Sequence, residues 1–295
     1  MLELDLDLDN PRWAVAPFKT QLLKWVGNKQ RFAHEIAGYF PPLAEDATYF
    51  EPFLGSGAVL ATLAPARAIG SDVFAPLVGI FQALHSDLDQ LIQWYAERWE
   101  AHDKAQDSRE VYEQIKASYN ANPNAADLVF LSRSCYGGVV RFRQADGYMS
   151  TPMGVHKPVS PSSFAERARI WADRTAGTEF QHWDYHEAFE RAQAGDLIYC
   201  DPPYTHSQTI LYGAQSFSLP ELMRAIEAAK ARGVRVVLSI DGSKTSGATM
   251  LDLPIPAGLF EREVLVSLGG SMLKRFQMVG QRQNQKVLDR LLLTY

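Results

Sequence analysis

The residues with the clearest chemical potential in this sequence are Asp201-Pro202-Pro203-Tyr204. They follow an apolar run at 196–200 that predicts a buried strand, so we expect them at the carboxyl edge of a sheet, where α/β folds bind ligands. Two consecutive prolines fix the backbone and hold the Asp201 carboxylate and a neighbouring carbonyl as two acceptors beside the flat face of Tyr204. Such acceptors suit an exocyclic amine. A proline-rich loop that only ends a strand is the alternative.

A second candidate site is the glycine turn in the motif Glu51-Pro52-Phe53-Leu54-Gly55-Ser56-Gly57. It follows a predicted strand and precedes a predicted helix, a context in which glycines let the backbone approach a ligand closely. Asp72 comes seventeen residues after Gly55, at the end of the apparent strand 68–71. A carboxylate at that position can accept hydrogen bonds from ribose hydroxyls. An ordinary strand-to-helix turn also explains Gly-x-Gly taken alone.

One segment of this otherwise acidic chain is basic. The net charge of the whole chain is −5, whereas residues 128–178 contain seven basic and three acidic side chains, a formal charge of +4. Proteins that bind nucleic acid carry a basic surface, which can be local. A solvated surface is the other interpretation.

The elements that must position these residues belong to a parallel sheet. Apolar, β-branched runs predict strands at 48–53, 196–200 and 234–240. Ser218 and Glu221 have the spacing of a capping box, and helical periodicity follows until Gly233. The resulting strand, helix and strand predict a right-handed crossover. Residues 85–183 differ, since helical patterns give way to Arg, Gly, Pro and aromatic residues, and we predict an insertion there between residues 1–84 and 184–295.

Composition favours a globular protein. Of the 295 residues, 46% are hydrophobic and 21% are charged, which is typical of soluble domains. We see neither a basic leader followed by an apolar run nor a stretch of ~20 apolar residues, so we expect a cytoplasmic protein without a membrane partner. The cysteines Cys135 and Cys200 are too few for a disulfide scaffold and lack the spacing of a zinc site, so we expect no metal.

Taken in order, Lys24-Trp25-Val26-Gly27-Asn28-Lys29, the glycine motif at 51–57 and Asp201-Pro202-Pro203-Tyr204 resemble the Dam-type (D12 class, alpha group) DNA adenine N6-methyltransferases. The similarity continues in residues 211–219 and 287–295 and runs nearly end to end. It implies an α/β fold with a Rossmann-like S-adenosylmethionine-dependent methyltransferase sheet. An inserted, mainly helical target-recognition domain, residues 85–183, would bind DNA, and residues 1–84 and 184–295 would form the catalytic domain.

The resemblance implies a methyl donor, S-adenosylmethionine, and no metal. Asp72 would hold its ribose and Asp184 its adenine. Asp201, Pro202, Pro203 and Tyr204 would be the catalytic residues. The full set implied to bind the cofactor is Trp25, Lys29, Phe53, Gly55, Gly57, Asp72, Asp184 and Asp201.

The resemblance also points to residues 131–143 as the segment that reads DNA. Arg141 is the candidate for a bidentate contact with guanine, and Tyr136 for a wedge beside the vacated base. Gly137 stands where members that read GATC usually carry Asn, which argues against GATC as the recognition sequence. The implied DNA-binding residues are Lys24, Arg133, Tyr136, Arg141, Arg143 and Lys157, of which Arg143 and Lys157 would contact phosphates.

The activity implied is methylation of adenine N6 in double-stranded DNA after base flipping. N4-cytosine methylation, methylation of RNA or of a protein amide, and a catalytically silent DNA-binding regulator are the alternatives. A bacterial or phage enzyme associated with the nucleoid would fit, with a cognate restriction endonuclease as a possible partner.

Overall fold

Seven strands form one sheet in the computed structural model, which describes residues 14–143, 145–203, 217–241, 255–270 and 286–295. Their order is β3-β2-β1-β4-β5-β7-β6. Neighbours pair in parallel except at β7, which runs antiparallel to both β5 and β6. The order reverses between β1 and β4, which creates the crevice where open α/β sheets bind ligands. The predicted Rossmann-like fold is confirmed.

The strands are β1 (Tyr49–Glu51), β2 (Ala68–Asp72), β3 (Thr178–His182), β4 (Leu197–Cys200), β5 (Arg235–Asp241), β6 (Arg262–Gly270) and β7 (Lys286–Leu293). The helices are α1 (Ala33–Gly38), α2 (Ala58–Leu63), α3 (Ala75–Ser86), α4 (Leu88–Lys104), α5 (Ser108–Ala121), α6 (Ala125–Ser134), α7 (Pro161–Arg174), α8 (Tyr185–Arg191) and α9 (Leu219–Ala231).

Alternating side chains of β4 show how the sheet is buried on both faces. Leu197 and Tyr199 belong to one apolar cluster and Ile198 and Cys200 to the other, as the two-residue period of a strand requires. The predicted helix after Ser218 is α9, and the Ser218 hydroxyl accepts a hydrogen bond from the Glu221 N–H at 3.4 Å. Patterning and capping therefore act together to place β4, α9 and β5.

The predicted insertion is helical but does not have a core of its own. Helix α4 packs against α6 and α7, and α6 packs against α3. One buried cluster joins Phe130 and Trp171 of the insertion to Leu60 and Phe81 beside the sheet. Strand β3 lies inside the predicted insertion 85–183 but pairs with β2 as an edge strand of the sheet. Its short sequence, Thr-Glu-Phe-Gln-His, lacks the apolar run that marks the central strands.

Side chains of the insertion form hydrogen bonds with the backbone of residues 18–22. The Trp171 indole N–H donates to the Thr20 carbonyl at 2.8 Å, and the Arg133 guanidinium donates to the carbonyls of Gln21 and Leu22 at 3.1 and 2.7 Å. These bonds satisfy the backbone of a segment that has no regular structure. The segment leads directly into the Lys24 to Lys29 motif and fixes where that motif begins.

Two kinds of feature are absent from the described residues. No helix there is both long and apolar enough to span a membrane. Nor do those residues bring three or more His, Cys, Asp or Glu side chains together in a cluster that could hold a metal ion.

Candidate active site

A cavity of about 440 Å³ opens at the carboxyl ends of β1, β2 and β4. It brings together most of the residues predicted to bind the cofactor, although they come from distant parts of the chain. Those that line it are Trp25, Lys29, Phe53, Gly55, Asp72, Asp184 and Asp201, together with Pro203. Tyr204 lies outside the described residues. Pro202 is buried beneath the surface of the cavity.

The glycine turn and Asp72 are bonded to each other. Gly55 has a φ of +47°, and its N–H donates to Asp72 Oδ2 at 3.0 Å. The ring of Trp25 lies 3.5 Å from the position that a Cβ on Gly55 would take. Gly57 does not line the cavity; it has a φ of +63° and begins α2 as its N-cap. The two glycines therefore act differently, one in the wall of the cavity and one in the turn behind it.

The Asp72 carboxylate is fixed at the end of β2. Its Oδ1 accepts the Phe74 N–H at 3.0 Å, while Oδ2 accepts from Gly55. Burial raises the pKa of Asp72, and the backbone hydrogen bonds from Gly55 and Phe74 oppose that shift. Each carboxylate oxygen has a second lone pair. Asp72 can thus accept hydroxyl hydrogens from a ligand without losing its backbone partners.

An ion pair joins the amino-terminal motif to the Asp-Pro-Pro turn. Lys29 Nζ lies 3.0 Å from Asp201 Oδ1, and their side chains are 9% and 19% exposed. A charged pair with so little solvent is held much more firmly than a surface pair. Asp201 therefore has a fixed carboxylate in the wall of the cavity.

Glu51 is a buried carboxyl that sequence reasoning did not single out. It ends β1, lines the cavity and accepts a hydrogen bond from the Tyr49 hydroxyl at 2.7 Å. Burial raises its pKa to about 8, the negative charge of Asp201 adds to the rise, and the Tyr49 hydrogen bond opposes it. The raised pKa favours the protonated form of Glu51, which avoids two adjacent charged carboxylates.

Replacing Glu51 by Gln should make stability less dependent on pH. An unfolded Glu51 loses its proton near 4.5 and the folded one at about 8, so between these values the folded state binds more protons. The unfolding free energy of the wild type therefore falls by up to about 1.4 kcal/mol per pH unit across that window. Denaturant unfolding at several pH values should show that the unfolding free energy of the Glu51→Gln variant increases relative to that of the wild type as pH rises. A difference in unfolding free energy between variant and wild type that stays constant with pH would contradict the raised pKa of Glu51.

Aromatic rings form one wall of the cavity. Phe53 stacks on Tyr185 with ring centroids 5.3 Å apart and meets the edge of Phe217 at 5.8 Å. Asp184 is the N-cap of α8 and accepts hydrogen bonds from the backbone and the ring Nδ1 of His186, at 3.1 and 2.6 Å. A flat apolar wall with a carboxylate at its rim suits a purine with an exocyclic amine. Tyr185, His186 and Phe217 also line the cavity and were missed because only the folded chain brings them there.

The predicted DNA-reading residues are near a hairpin that projects beside the insertion. In this hairpin, residues 141–150 apart from residue 144, Phe142 pairs antiparallel with Met149. Arg143 bonds Asp146 through Nε and Nη2 at 3.0 and 2.6 Å and lies over the Tyr148 ring. Arg141 is exposed, and the described part of the chain gives its guanidinium no ion-pair partner. Arg141 is therefore the more available of the two cations.

The remaining predicted DNA contacts are distributed around this hairpin. Tyr136 is 40% exposed, an unusual state for a large apolar side chain here. Lys24 is exposed and packs its stem against Gly138. Lys157 forms an ion pair with Asp103 and lies 5.0 Å from the Trp99 ring centre. Tyr136 and Lys24 are thus presented to solvent, whereas the charge of Lys157 already has a partner.

Arg133 does not fit the predicted DNA contact. It is only 4% exposed, and its guanidinium holds the carbonyls of Gln21 and Leu22. A guanidinium enclosed in this way does not present its charge to a phosphate or base. The physical reason is its position in α6, where it follows the buried Phe130 by three residues on the same face. The structure gives Arg133 a structural role.

A comparison with protein families decides what kind of protein has this geometry. The family described as D12 class N6 adenine-specific DNA methyltransferase matches residues 25–251, which is more than half of the chain. The chain belongs to this family. The predicted resemblance is confirmed, and the protein is an adenine-specific DNA methyltransferase.

Relatives of the methyltransferase agree with the family. The DNA adenine methylase of Vibrio cholerae serotype O1 is 28% identical over 230 residues, 74% of this chain and 79% of the relative. The DNA N-6-adenine-methyltransferase of Escherichia phage P1 is 28% identical over 243 residues, 77% of this chain but 30% of that longer protein. The Type II methyltransferase M1.LlaDCHI of Lactococcus lactis is 24% identical over 237 residues, 75% and 80% of the two chains.

Among solved structures, the rRNA methyltransferase aviRa from Streptomyces viridochromogenes aligns with 89% of the methyltransferase and 83% of its own chain. The identity is 13% and the TM-score 0.36.

Proposed function

We propose that the methyltransferase binds S-adenosylmethionine in the cavity and methylates N6 of an adenine that has been flipped out of duplex DNA. The observation that carries this proposal is the meeting of Asp201, the Gly55 turn and Asp72 in one cavity at the switch point of the sheet. Ligand sites in open α/β sheets lie at this point.

The residues of the cavity fit the cofactor. Its ribose hydroxyls match the Asp72 carboxylate, which keeps free lone pairs beside the Gly55 amide. Its adenine ring matches the stacked wall of Phe53 and Tyr185, with Asp184 as an acceptor for the amine. Trp25 and Lys29 close the cavity from the amino-terminal motif. When bound, S-adenosylmethionine supplies a methyl group on a positively charged sulfur.

The Asp-Pro-Pro-Tyr residues are proposed to hold the target amine. Asp201 and the Pro202 carbonyl accept the two N6 hydrogens, and Tyr204 stacks on the flipped adenine. Fixed acceptors keep the amine lone pair directed at the methyl group, so positioning and electrostatics provide most of the acceleration. The proposal requires no metal and no covalent enzyme intermediate.

Base flipping is supported by the depth of the catalytic carboxylate. The Asp201 side chain is 19% exposed inside the cavity. A base that stays stacked in a duplex cannot bring its amine to a recessed carboxylate, so it has to leave the stack. The exposed Tyr136 is suited to occupy the vacated space.

The test is methyl transfer from labelled S-adenosylmethionine to unmethylated genomic DNA, followed by nucleoside analysis and sequencing of the modified sites. We expect N6-methyladenine within one short sequence. N4-methylcytosine as the product, or cofactor binding without transfer to any DNA, would contradict the proposal. The second result would indicate a silent DNA-binding regulator.

Arg141→Ala should reduce sequence discrimination. Its guanidinium is exposed and has no ion-pair partner among the described residues, which makes it the best candidate for a bidentate base contact, worth about 1–3 kcal/mol, or about 5- to 150-fold. Competition binding between the methylated-site sequence and single-base variants measures the loss. Arg143→Ala is the matched control, because Arg143 is bonded to Asp146 and should lower affinity for all sequences alike. Equal effects of both variants on discrimination would contradict the assignment.

The proposal also includes a cognate restriction endonuclease as a partner. It places the enzyme in the cytoplasm, bound to a bacterial or phage chromosome. The name Type II methyltransferase, carried by the Lactococcus lactis relative, supports such a partner. Relatives in bacteria and a phage support the location.

A further inference from the structure

We propose that Phe74 is a positioning residue that couples cofactor binding to the placement of the DNA-reading hairpin; this inference rests on the proposed function. Phe74 does not line the cavity and lies outside the three motifs. It nevertheless contacts residues of the cavity wall and of the hairpin.

On the cofactor side, Phe74 touches two residues of the cavity wall. Its N–H donates to Asp72 Oδ1 at 3.0 Å, and its ring lies 6.2 Å from the Trp25 ring at an interplanar angle of 34°. Asp72 and Trp25 are the proposed contacts of the ribose and the cofactor pocket. A ligand that fixes these two side chains therefore also fixes both the backbone and the ring of Phe74.

On the DNA side, the same ring packs against the hairpin. Phe74 meets Phe142 edge to face, with ring centroids 5.4 Å apart and an interplanar angle of 73°. Phe142 is 6% exposed and lies between Arg141 and Arg143 in the chain. Since neighbouring strand residues point to opposite faces, anchoring Phe142 determines where Arg141 is presented.

A second contact joins the same two regions. Lys24 precedes Trp25 in the chain, and its Cβ lies 2.6 Å from the position that a Cβ on Gly138 would take. Gly138 has a φ of +68°, so it is suited to this close approach both sterically and conformationally. The cofactor motif is thus packed against the turn after Tyr136 as well as against the hairpin.

Two ligands that favour the same arrangement of Phe74 must each increase the binding affinity of the other. Phe74 is only partly buried, so ordering it has a cost that the first ligand removes for the second. Linkage requires the effect to be reciprocal, and such couplings are typically about 5- to 150-fold. The expectation is that cognate DNA tightens cofactor binding by a factor in this range.

The experiment measures this factor with S-adenosylhomocysteine, the unreactive product of the cofactor. Its Kd is determined calorimetrically without DNA and with a saturating duplex that contains the mapped methylation sequence. The variants are Phe74→Leu and Phe142→Leu, which remove the ring contact from either side. Phe180→Leu is the control, since Phe180 packs against Phe81 at 5.0 Å and lies in neither the cavity nor the hairpin.

We expect coupling in the wild type and in Phe180→Leu, and a factor close to 1 in both Phe74→Leu and Phe142→Leu. If Phe74→Leu does not fold, Phe142→Leu tests the same contact. A merely structural Phe74 would lower the melting temperature and leave the factor unchanged, which would overturn the inference. A factor of 1 in the wild type would also overturn it. Failure of the wild type to bind S-adenosylhomocysteine at all would instead overturn the proposed function.

Discussion

Asp201→Asn should lower kcat for methyl transfer by about 10²- to 10³-fold, the usual effect of removing one preorganised group that stabilises charge in a transition state. The amine nitrogen becomes positive as it takes the methyl group, and the Asp201 carboxylate is the fixed negative group proposed to face it. An amide keeps the shape of the side chain but removes the charge. It also removes the negative partner of the ion pair with Lys29, whose Nζ lies 3.0 Å from Asp201 Oδ1.

Single-turnover transfer of labelled methyl groups measures this effect without contributions from product release. Cofactor affinity is measured in parallel, so that a loss of binding is not mistaken for a loss of chemistry. Asp173→Asn is the control, because Asp173 is an exposed carboxylate of α7. Near-normal transfer by Asp201→Asn would show that another group holds the amine.

Asp72→Asn should weaken cofactor binding by about 10- to 150-fold, since hydrogen bonds to a charged group contribute about 1.5–3 kcal/mol. The carboxylate accepts the N–H groups of both Gly55 and Phe74. An amide has one acceptor oxygen, so one of these backbone groups would face an NH₂ group. The effect therefore combines a lost ribose contact with a displaced glycine turn.

The measurement is the cofactor Kd and the KM for methyl transfer. We expect both to rise, with a smaller change in kcat at saturating cofactor. Asp184→Asn is the matched control: it makes the same chemical change at the rim, where asparagine remains a good N-cap for α8. We expect a several-fold weaker effect there. Comparable losses at the two positions would argue against Asp72 as the main ribose acceptor.

The edge of the sheet that carries the cavity could be predicted because its signals are local. An apolar run ends at Cys200 and the Asp-Pro-Pro motif follows at once, so Asp201 had to lie at the carboxyl end of a strand. Gly55 and Asp72 likewise follow β1 and end β2. Sequence order and strand direction were sufficient for these positions.

Residues whose roles depend on packing could not be assigned in this way. The count of basic residues in 128–178 treats Arg133 and Arg141 alike, although α6 directs one into the core and the hairpin leaves the other exposed. The same limit applies to Glu51, whose pKa depends on its enclosure beside Asp201. Phe74 belongs to no motif, and only the folded chain places its ring between Trp25 and Phe142.

The strand order has a consequence for the synthesis of the enzyme on the ribosome. Strand β7 follows β6 in the chain but lies between β5 and β6 in the sheet. Among the strands that the structure describes, β6 therefore has no neighbour until residues 286–293 have been translated, and β5 keeps an open edge. Unpaired edges are templates for association with other chains. We expect nascent chains that stop before β7 to aggregate or to need a chaperone, even when every described residue that lines the cavity has already been made.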